Sequence, residues 1–332
     1  MIYLCKPNRV ARTYLGGHRI DKLRGIEAPD NFKPEEWVAS VTTARNPGGA
    51  PDEGLSVTRD GEYLADILKE HPEYLGKFER LPILLKLLDA SERLVIQVHP
   101  TVEFAKENFG SPFGKAECWY IISTEPGACV YLGFKEGITR EEWLDCFEKQ
   151  DIPRMLSLLH RVDLKPGDVW YVDGGVPHAI GGGCLMAELQ EPTDLMVVPE
   201  KVTPSGRALP EQRLHCGLGF EKMFDMFDYT GYSREELEKR YHRRRECPPD
   251  SMVDIIDSGL TEKFAMSECR VESEMELENP GLPEVFVVID GEGAISDGYG
   301  RQEIKAGDCG FIPATAKKIR LKGRLRVLIS RP

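Results

Sequence analysis

Lys165-Pro-Gly-Asp-Val-Trp-Tyr-Val-Asp-Gly-Gly-Val-Pro-His178 recurs in altered form as Lys305-Ala-Gly-Asp-Cys-Gly-Phe-Ile-Pro-Ala-Thr-Ala-Lys-Lys318. Both copies place a Lys-x-Gly-Asp turn ahead of a short strand that contains an aromatic residue, and both end in a second turn. Two copies of one β unit imply two related barrels. Many short strands with Gly-rich turns suit a jelly roll, which folds two sheets around a cavity. The copies part where chemistry would matter, because His178 falls opposite Lys318. An ammonium has no free lone pair and cannot ligate a metal, whereas an imidazole can. The first barrel is therefore expected to be the working one and the second structural.

The rest of the chain extends this reading. Its 332 residues suit two domains: a metal-binding unit over 1–245 and a C-terminal unit over 246–332 without metal ligands. Arg12 to Gly16 and Trp37 to Thr43 read as short β runs, and Tyr63 to Leu68 as a helix. Leu81 to Leu88 reads as a buried strand, and Arg93 to His99 as another, stopped by Pro100. Trp119 to Ile122 and Cys129 to Phe134 read as strands separated by the turn Glu125-Pro126-Gly127. Thr139-Arg-Glu-Glu142 is a capping box, and Trp143, Phe147, Met155, Leu158 and Leu159 follow at helical spacing. A helical insertion over about 136–161 is the expectation. The stretch from about 199 to 213, rich in Pro, Gly and charge, reads as a linker. Ser233-Arg-Glu-Glu236 is a second capping box and places the basic cluster Lys239 to Arg245 late in a short helix.

Composition excludes several function classes. A formal net charge of −12 argues against binding nucleic acid by bulk electrostatics. No apolar run approaches the roughly 20 residues that span a bilayer. The nine Cys are odd in number and include no CxxC pair, which argues against a disulfide framework and against a thiolate zinc knuckle. They read as small core residues in a reducing cytosol, with the strand pleat pointing Cys118 away from Glu117. Met1-Ile2-Tyr3-Leu4-Cys5-Lys6 lacks the layout of a signal peptide. The expected setting is cytoplasmic, as a monomer or homodimer, with no membrane or nucleic-acid partner.

One constellation carries chemistry. Gln97 and His99 are two apart in a β-like run, so their side chains share a face, roughly 7 Å apart. Lys115 and Glu117 are related in the same way. His178 follows the Gly174-Gly175 turn and a proline. If these stretches line one barrel mouth, a Gln oxygen, a carboxylate and two imidazoles converge. That donor set suits zinc, and manganese, cobalt or iron would also accept it. Glu117 is the strongest single signal, because a carboxylate in an apolar strand is costly unless paired or metal-bound. His18, His71, His160, His215 and His242 show no ligand spacing and read as ordinary histidines.

These residues resemble the type I mannose-6-phosphate isomerase family. The resemblance runs through Leu81 to Ala90, Ile96-Gln-Val-His-Pro100, Gly114-Lys-Ala-Glu-Cys-Trp-Tyr120, Gly167-Asp168, Pro177-His-Ala-Ile-Gly181 and Ala187-Glu-Leu-Gln190. It implies a mainly β fold of two cupin (jelly-roll) barrels with a small helical insertion in the first. It implies a zinc ion held by Gln97, His99, Glu117 and His178, an active-site Lys115, and an acidic pair, Glu188 and Asp194. The implied reaction is aldose–ketose isomerisation of a sugar phosphate or related sugar through an enediol. Glu188 or Asp194 is an acid/base candidate, as is a metal-bound water; the sequence does not rank them.

Two departures bear on the substrate. The family's Ser two residues before the metal-binding Gln is Val95 here, and its catalytic Arg four residues after the Asp is Val198. Lys201 and Arg207, on the following segment, are the nearest replacements in sequence. Two alternative readings stand beside the isomerase one: a non-catalytic metal cupin that binds a sugar, which the missing Ser and Arg favour, and a different metal-cupin enzyme such as an epimerase or oxygenase.

Overall fold

Three β-sheets build the molecule in the computed structural model, which describes residues 1–46 and 48–332. A seven-stranded antiparallel sheet runs in the order His242–Arg243, Val169–Val172, Glu117–Thr124, Cys184–Gln190, Leu84–Ala90, Glu35–Val38, Arg9–Val10. A four-stranded sheet joins Gly231–Tyr232, Cys129–Lys135 and Leu159–Asp163, with His178–Ile180 also on Cys129–Lys135. Side chains from both share one core, among them Leu85, Trp119, Val130, Leu132 and Ile180. This is the first barrel. The apolar run around Leu84 is buried along its whole length, as its lack of alternation predicts.

The eight-stranded sheet forms the second barrel from strands between 251 and 331. It also takes in the chain's first strand, Tyr3–Leu4, which pairs with Phe311 and Gly310. Residues at the very start of the stretch 1–245 therefore pair with the C-terminal sheet. Glu284–Ser296 and Lys318–Arg331 are long strands that pair with each other, each also pairing with two shorter strands. Their inner side chains, including Phe286, Val288, Leu321 and Val327, make a separate core. The two-barrel, mainly β cupin architecture expected from the repeat is present.

The repeat holds in backbone detail. Asp168 accepts from Lys165 N at 2.9 Å through Oδ2, and Asp308 accepts from Lys305 N at 2.9 Å in the same way. Gly167 and Gly307 both take positive φ, 83° and 86°. The helical insertion is also present, as Arg140–Lys149 and Ile152–Leu158 between strands of the smaller sheet. Thr139 caps the first helix by accepting from Glu142 N. The return half of that capping box does not form, because Glu142 pairs with Arg154 instead.

Four expectations need correction. Arg12 to Gly16 is not a strand; only Gly16 makes an isolated bridge, to Asn31. Arg93 to His99 is not a strand; only Gln97 and Val98 make isolated bridges, to His178 and Val197. The helix capped by Ser233 ends at Tyr241, so Arg244 and Arg245 lie beyond it, paired with Asp168 and Asp257. The segment 199–213 links no domains. It leaves and rejoins the first barrel, with Val198 N bonded to Leu214 O at 2.7 Å.

Candidate metal centre and cavity

Backbone hydrogen bonds clasp the three stretches that carry the expected ligands. Gln97 and His178 exchange N–H···O bonds in both directions at 2.9 Å. Lys115 N donates to Pro100 O at 3.0 Å, and Gly175 N to His99 O at 2.7 Å. Pro100 is thereby wedged between two glycines. A Cβ on Gly114 would lie 2.6 Å from Pro100 O, and one on Gly174 2.7 Å from it. Only glycine permits that approach. The buried Glu191 carboxylate fixes the next turn by accepting from Gly114 N and Ala116 N.

The result brings His99, Glu117 and His178 together, with one donor atom from each within 4.8 Å of the others. All three are almost wholly buried. His99 Nδ1 lies 3.0 Å from Leu195 O and His178 Nδ1 2.9 Å from Val176 O. A carbonyl only accepts, so each Nδ1 carries the proton and each Nε2 presents a lone pair. Those lone pairs face a carboxylate, His99 Nε2 at 3.1 Å and His178 Nε2 at 3.8 Å from Glu117. Electron-rich atoms converge in this way around a cation, with the outer ring nitrogens held by carbonyls as metal-binding histidines are. His178 Nε2 has no hydrogen-bond partner among the described residues. Burial, and after it His99, pushes the His178 pKa down to about 3. Burial and Lys115 lower His99. Both rings are thus neutral, the form that ligates. Burial alone would raise the Glu117 carboxyl; the Lys115 ammonium outweighs it and holds the group well below the usual range. The residues fit a divalent ion.

Lys115 stands inside this cluster, its ammonium 2.7 Å from Glu117 Oε1 and 3.0 Å from His99 Nε2. Lys115 also lines a cavity beside the cluster, with Gln97, Glu188 and Asp194 in the same wall; His99, Glu117 and His178 are not part of it. Glu188 Oε1 accepts from Lys86 Nζ at 2.9 Å. Asp194 lies 3.4 Å from Arg12 and accepts from Arg45 N at 3.0 Å. The two carboxyls are shifted in opposite directions. Burial and the nearby Glu117 raise Glu188. For Asp194 burial is outweighed by Arg12, Lys86 and Lys115, and the pKa is lowered. Cys118 faces away into the core, as the pleat predicts.

Sequence reasoning missed a second layer. Glu35 accepts from Tyr14 Oη and Trp37 Nε1, both at 2.9 Å, and pairs with Arg12 at 2.9 Å. Lys86 sits 3.8 Å from the same carboxylate. A signal was present: Lys86 interrupts an unbroken run of leucines, as anomalous there as Glu117 is in its own strand. Val95 does line the cavity. Val198 is buried and is absent from the cavity wall. Lys201 and Arg207 are exposed and lie over the rings of Phe147 and Phe32, away from that wall. His18, read as ordinary, approaches Asp30 at 2.6 Å and Asp89 at 3.8 Å. Asp89 already accepts from Gly17 N, Arg19 N and the Arg19 guanidinium, so that group is a satisfied ion-pair cluster.

Known proteins share this arrangement of parts. Residues 15–128 match the family model for the phosphomannose isomerase type I catalytic domain, and residues 258–332 that for the mannose-6-phosphate isomerase cupin domain. Mannose-6-phosphate isomerase ManA of Bacillus subtilis (strain 168) is 29% identical over 289 residues, 85% of this chain and 86% of that protein. Mannose-6-phosphate isomerase of Streptococcus mutans is 35% identical over 185 residues, 54% of each. The crystal structure of a mannose 6-phosphate isomerase from Bacillus subtilis superposes with a TM-score of 0.77 over 99% of both chains at 24% identity, which is a likeness of fold. A catalytic-domain match towards one end, a cupin match at the other, and a relative aligned along most of the length agree with the ligand cluster: the chain belongs to the type I phosphomannose isomerase family.

Proposed function

We propose that the chain interconverts mannose 6-phosphate and fructose 6-phosphate, or a closely related sugar pair, with a divalent ion held by Gln97, His99, Glu117 and His178. The observation that carries this is the pair of buried Nε2 lone pairs turned on Glu117, with Lys115 touching Glu117 and lining a cavity together with Glu188. Two imidazoles with oxygen donors and no thiolate suit zinc. Such an ion supplies Lewis-acid stabilisation of negative charge on the sugar oxygens.

The chain's own groups divide the remaining work. Glu188 takes the proton from the carbon beside the carbonyl and returns it to the neighbouring carbon. Its raised pKa brings it nearer the working pH than an ordinary glutamate, and Lys86 orients its carboxyl. The Lys115 ammonium stabilises the enediolate oxygen. Asp194, held ionised, positions Arg12 and the Arg45 backbone. On this reading 1–245 is the catalytic unit and 246–332 the metal-free one, with Tyr3–Leu4 as an edge strand of the latter. A cytoplasmic setting belongs to the proposal: all nine cysteines are free, which suits a reducing compartment. Among the described residues no helix is long and apolar enough to cross a membrane.

The test is isomerase assay of zinc-loaded protein on each hexose phosphate and free hexose. Turnover of mannose 6-phosphate is expected; inactivity on every sugar would remove the reading. Val95, on the cavity wall where the family carries Ser, favours one alternative, a non-catalytic sugar-binding cupin. That alternative gives sugar binding and metal retention without turnover.

A further inference from the structure

We propose that Arg213 is the residue that binds the anionic group of the substrate, the phosphate of a hexose phosphate. This deepens the isomerase reading and rests on it for the identity of the sugar. Five basic side chains line the cavity: Arg12, Lys86, Arg93, Lys115 and Arg213. Four of them are neutralised by carboxylates in contact. Arg12 pairs with Glu35 and Asp194, Lys86 with Glu188, Arg93 with Glu200 through two hydrogen bonds, and Lys115 with Glu117. Arg213 has no carboxylate within 4.0 Å among the described residues. Its guanidinium donates once, from Nη1 to Arg45 O at 2.8 Å, which leaves most of its five N–H donors for a ligand.

The electrostatics agree with the contacts. Burial lowers the Arg213 pKa against the weaker pull of Asp194, whereas Arg12, more deeply buried, is raised by Asp194 and Glu35 in direct contact. Arg213 is thus the one cation of the cavity wall, among the described residues, with no carboxylate in contact, and a phosphate would supply that contact. The fork of a guanidinium also matches phosphate oxygens better than an ammonium does.

The fold holds Arg213 where an extended substrate would need it. Leu214 O is bonded to Val198 N at 2.7 Å, and Arg213 N to Pro210 O at 2.8 Å. Thr203 and Pro204, on the same segment, also reach the cavity. Lys115 and Glu188 are buried at the inner end, 4% and 3% exposed, while Arg213 is half-buried. A sugar with its reacting carbons at the inner groups would direct a terminal phosphate outward.

Two measurements test this. Calorimetric titration of inorganic phosphate into zinc-loaded protein is expected to show binding that weakens about ten- to hundred-fold in Arg213→Ala. For mannose 6-phosphate, Arg213→Ala is expected to raise KM by a similar factor while kcat changes much less. Arg213→Lys keeps the charge and should fall between. Equal phosphate affinity and equal KM in wild type and Arg213→Ala overturns the proposal, as does a loss confined to kcat. If wild type turns over no sugar, the isomerase reading fails, and the phosphate titration still decides the role of Arg213. Thermal melts confirm that each variant is folded.

Discussion

Lys115 and Glu117 are in direct contact, the ammonium nitrogen 2.7 Å from the carboxylate Oε1. The ammonium stands against the same oxygen and the same His99 nitrogen that a divalent ion would use. Two cations repel in one small buried space, so ion binding and this contact compete. Lys115→Met should make that visible. In metal-free protein it leaves a fully buried Glu117 without its nearest cation, a loss of about 3–5 kcal/mol. In zinc-loaded protein the ion compensates the carboxylate and the loss should largely vanish. Chemical unfolding with and without zinc measures both. An equal loss in the two states would show that Lys115 and the ion do not share Glu117.

Glu188 and Asp194 should separate kinetically. Glu188→Gln removes the acid/base group while keeping shape, and should lower kcat by about 10²–10⁴ with zinc content unchanged. Asp194→Asn weakens the hold on Arg12 and should cost mainly stability, about 1–3 kcal/mol, with a smaller fall in kcat. Steady-state kinetics and metal analysis on both variants check this. Activity of Glu188→Gln within a few-fold of wild type would move the proton transfer elsewhere.

The parts of the site legible in sequence were those with a local anomaly or a repeated pattern. His178 stood out by contrast with Lys318, and Glu117 by its apolar surroundings; both entered the cluster with His99. The helical insertion showed because a capping signal and an apolar stripe coincided. Arg12 was invisible because its partner in the site is distant in the chain: it meets Asp194 across 182 positions. No spacing rule reaches that far. The segment around Arg213 has the composition of a linker, and composition cannot tell a linker from a loop pinned to a barrel by backbone bonds at Val198 and Leu214. The Arg93 to His99 stretch misled for the same reason. Its apolar pattern records burial, while its hydrogen bonds go to two separate partners.

The repeated turn offers a test of the second barrel's role. Asp308 accepts from Lys305 N and pairs with Arg59 at 2.7 Å, so Asp308→Ala should cost about 1–2 kcal/mol. Zinc content and kcat at ambient temperature should stay as in wild type, because no group of the cluster is touched. A lost ion in a folded Asp308→Ala variant would contradict a purely structural second barrel.

Stability should also depend on pH through Glu284, in the direction opposite to most carboxylates. Glu284 is 5% exposed at the start of a strand of the second barrel, and its nearest cation, Arg331, is 3.8 Å away. Burial pushes its pKa from 4.5 up to about 7 against the weaker pull of Arg331. Between those values the folded state holds a proton that the unfolded chain has released. Folding is therefore favoured at low pH by this group, and its contribution is lost as pH rises from about 4.5 to about 7, by at most about 3 kcal/mol. Glu35 acts the other way. Its carboxyl is held low because Arg12, then Lys86, outweigh burial, so its contribution is present above the ordinary glutamate range and fades only on acidification. Glu284→Gln keeps the side-chain shape and removes the ionisation. The variant should match wild type near pH 5 and exceed it in urea midpoint near pH 8. A variant no more stable than wild type at pH 8 would mean that Arg331 already satisfies the ionised carboxylate.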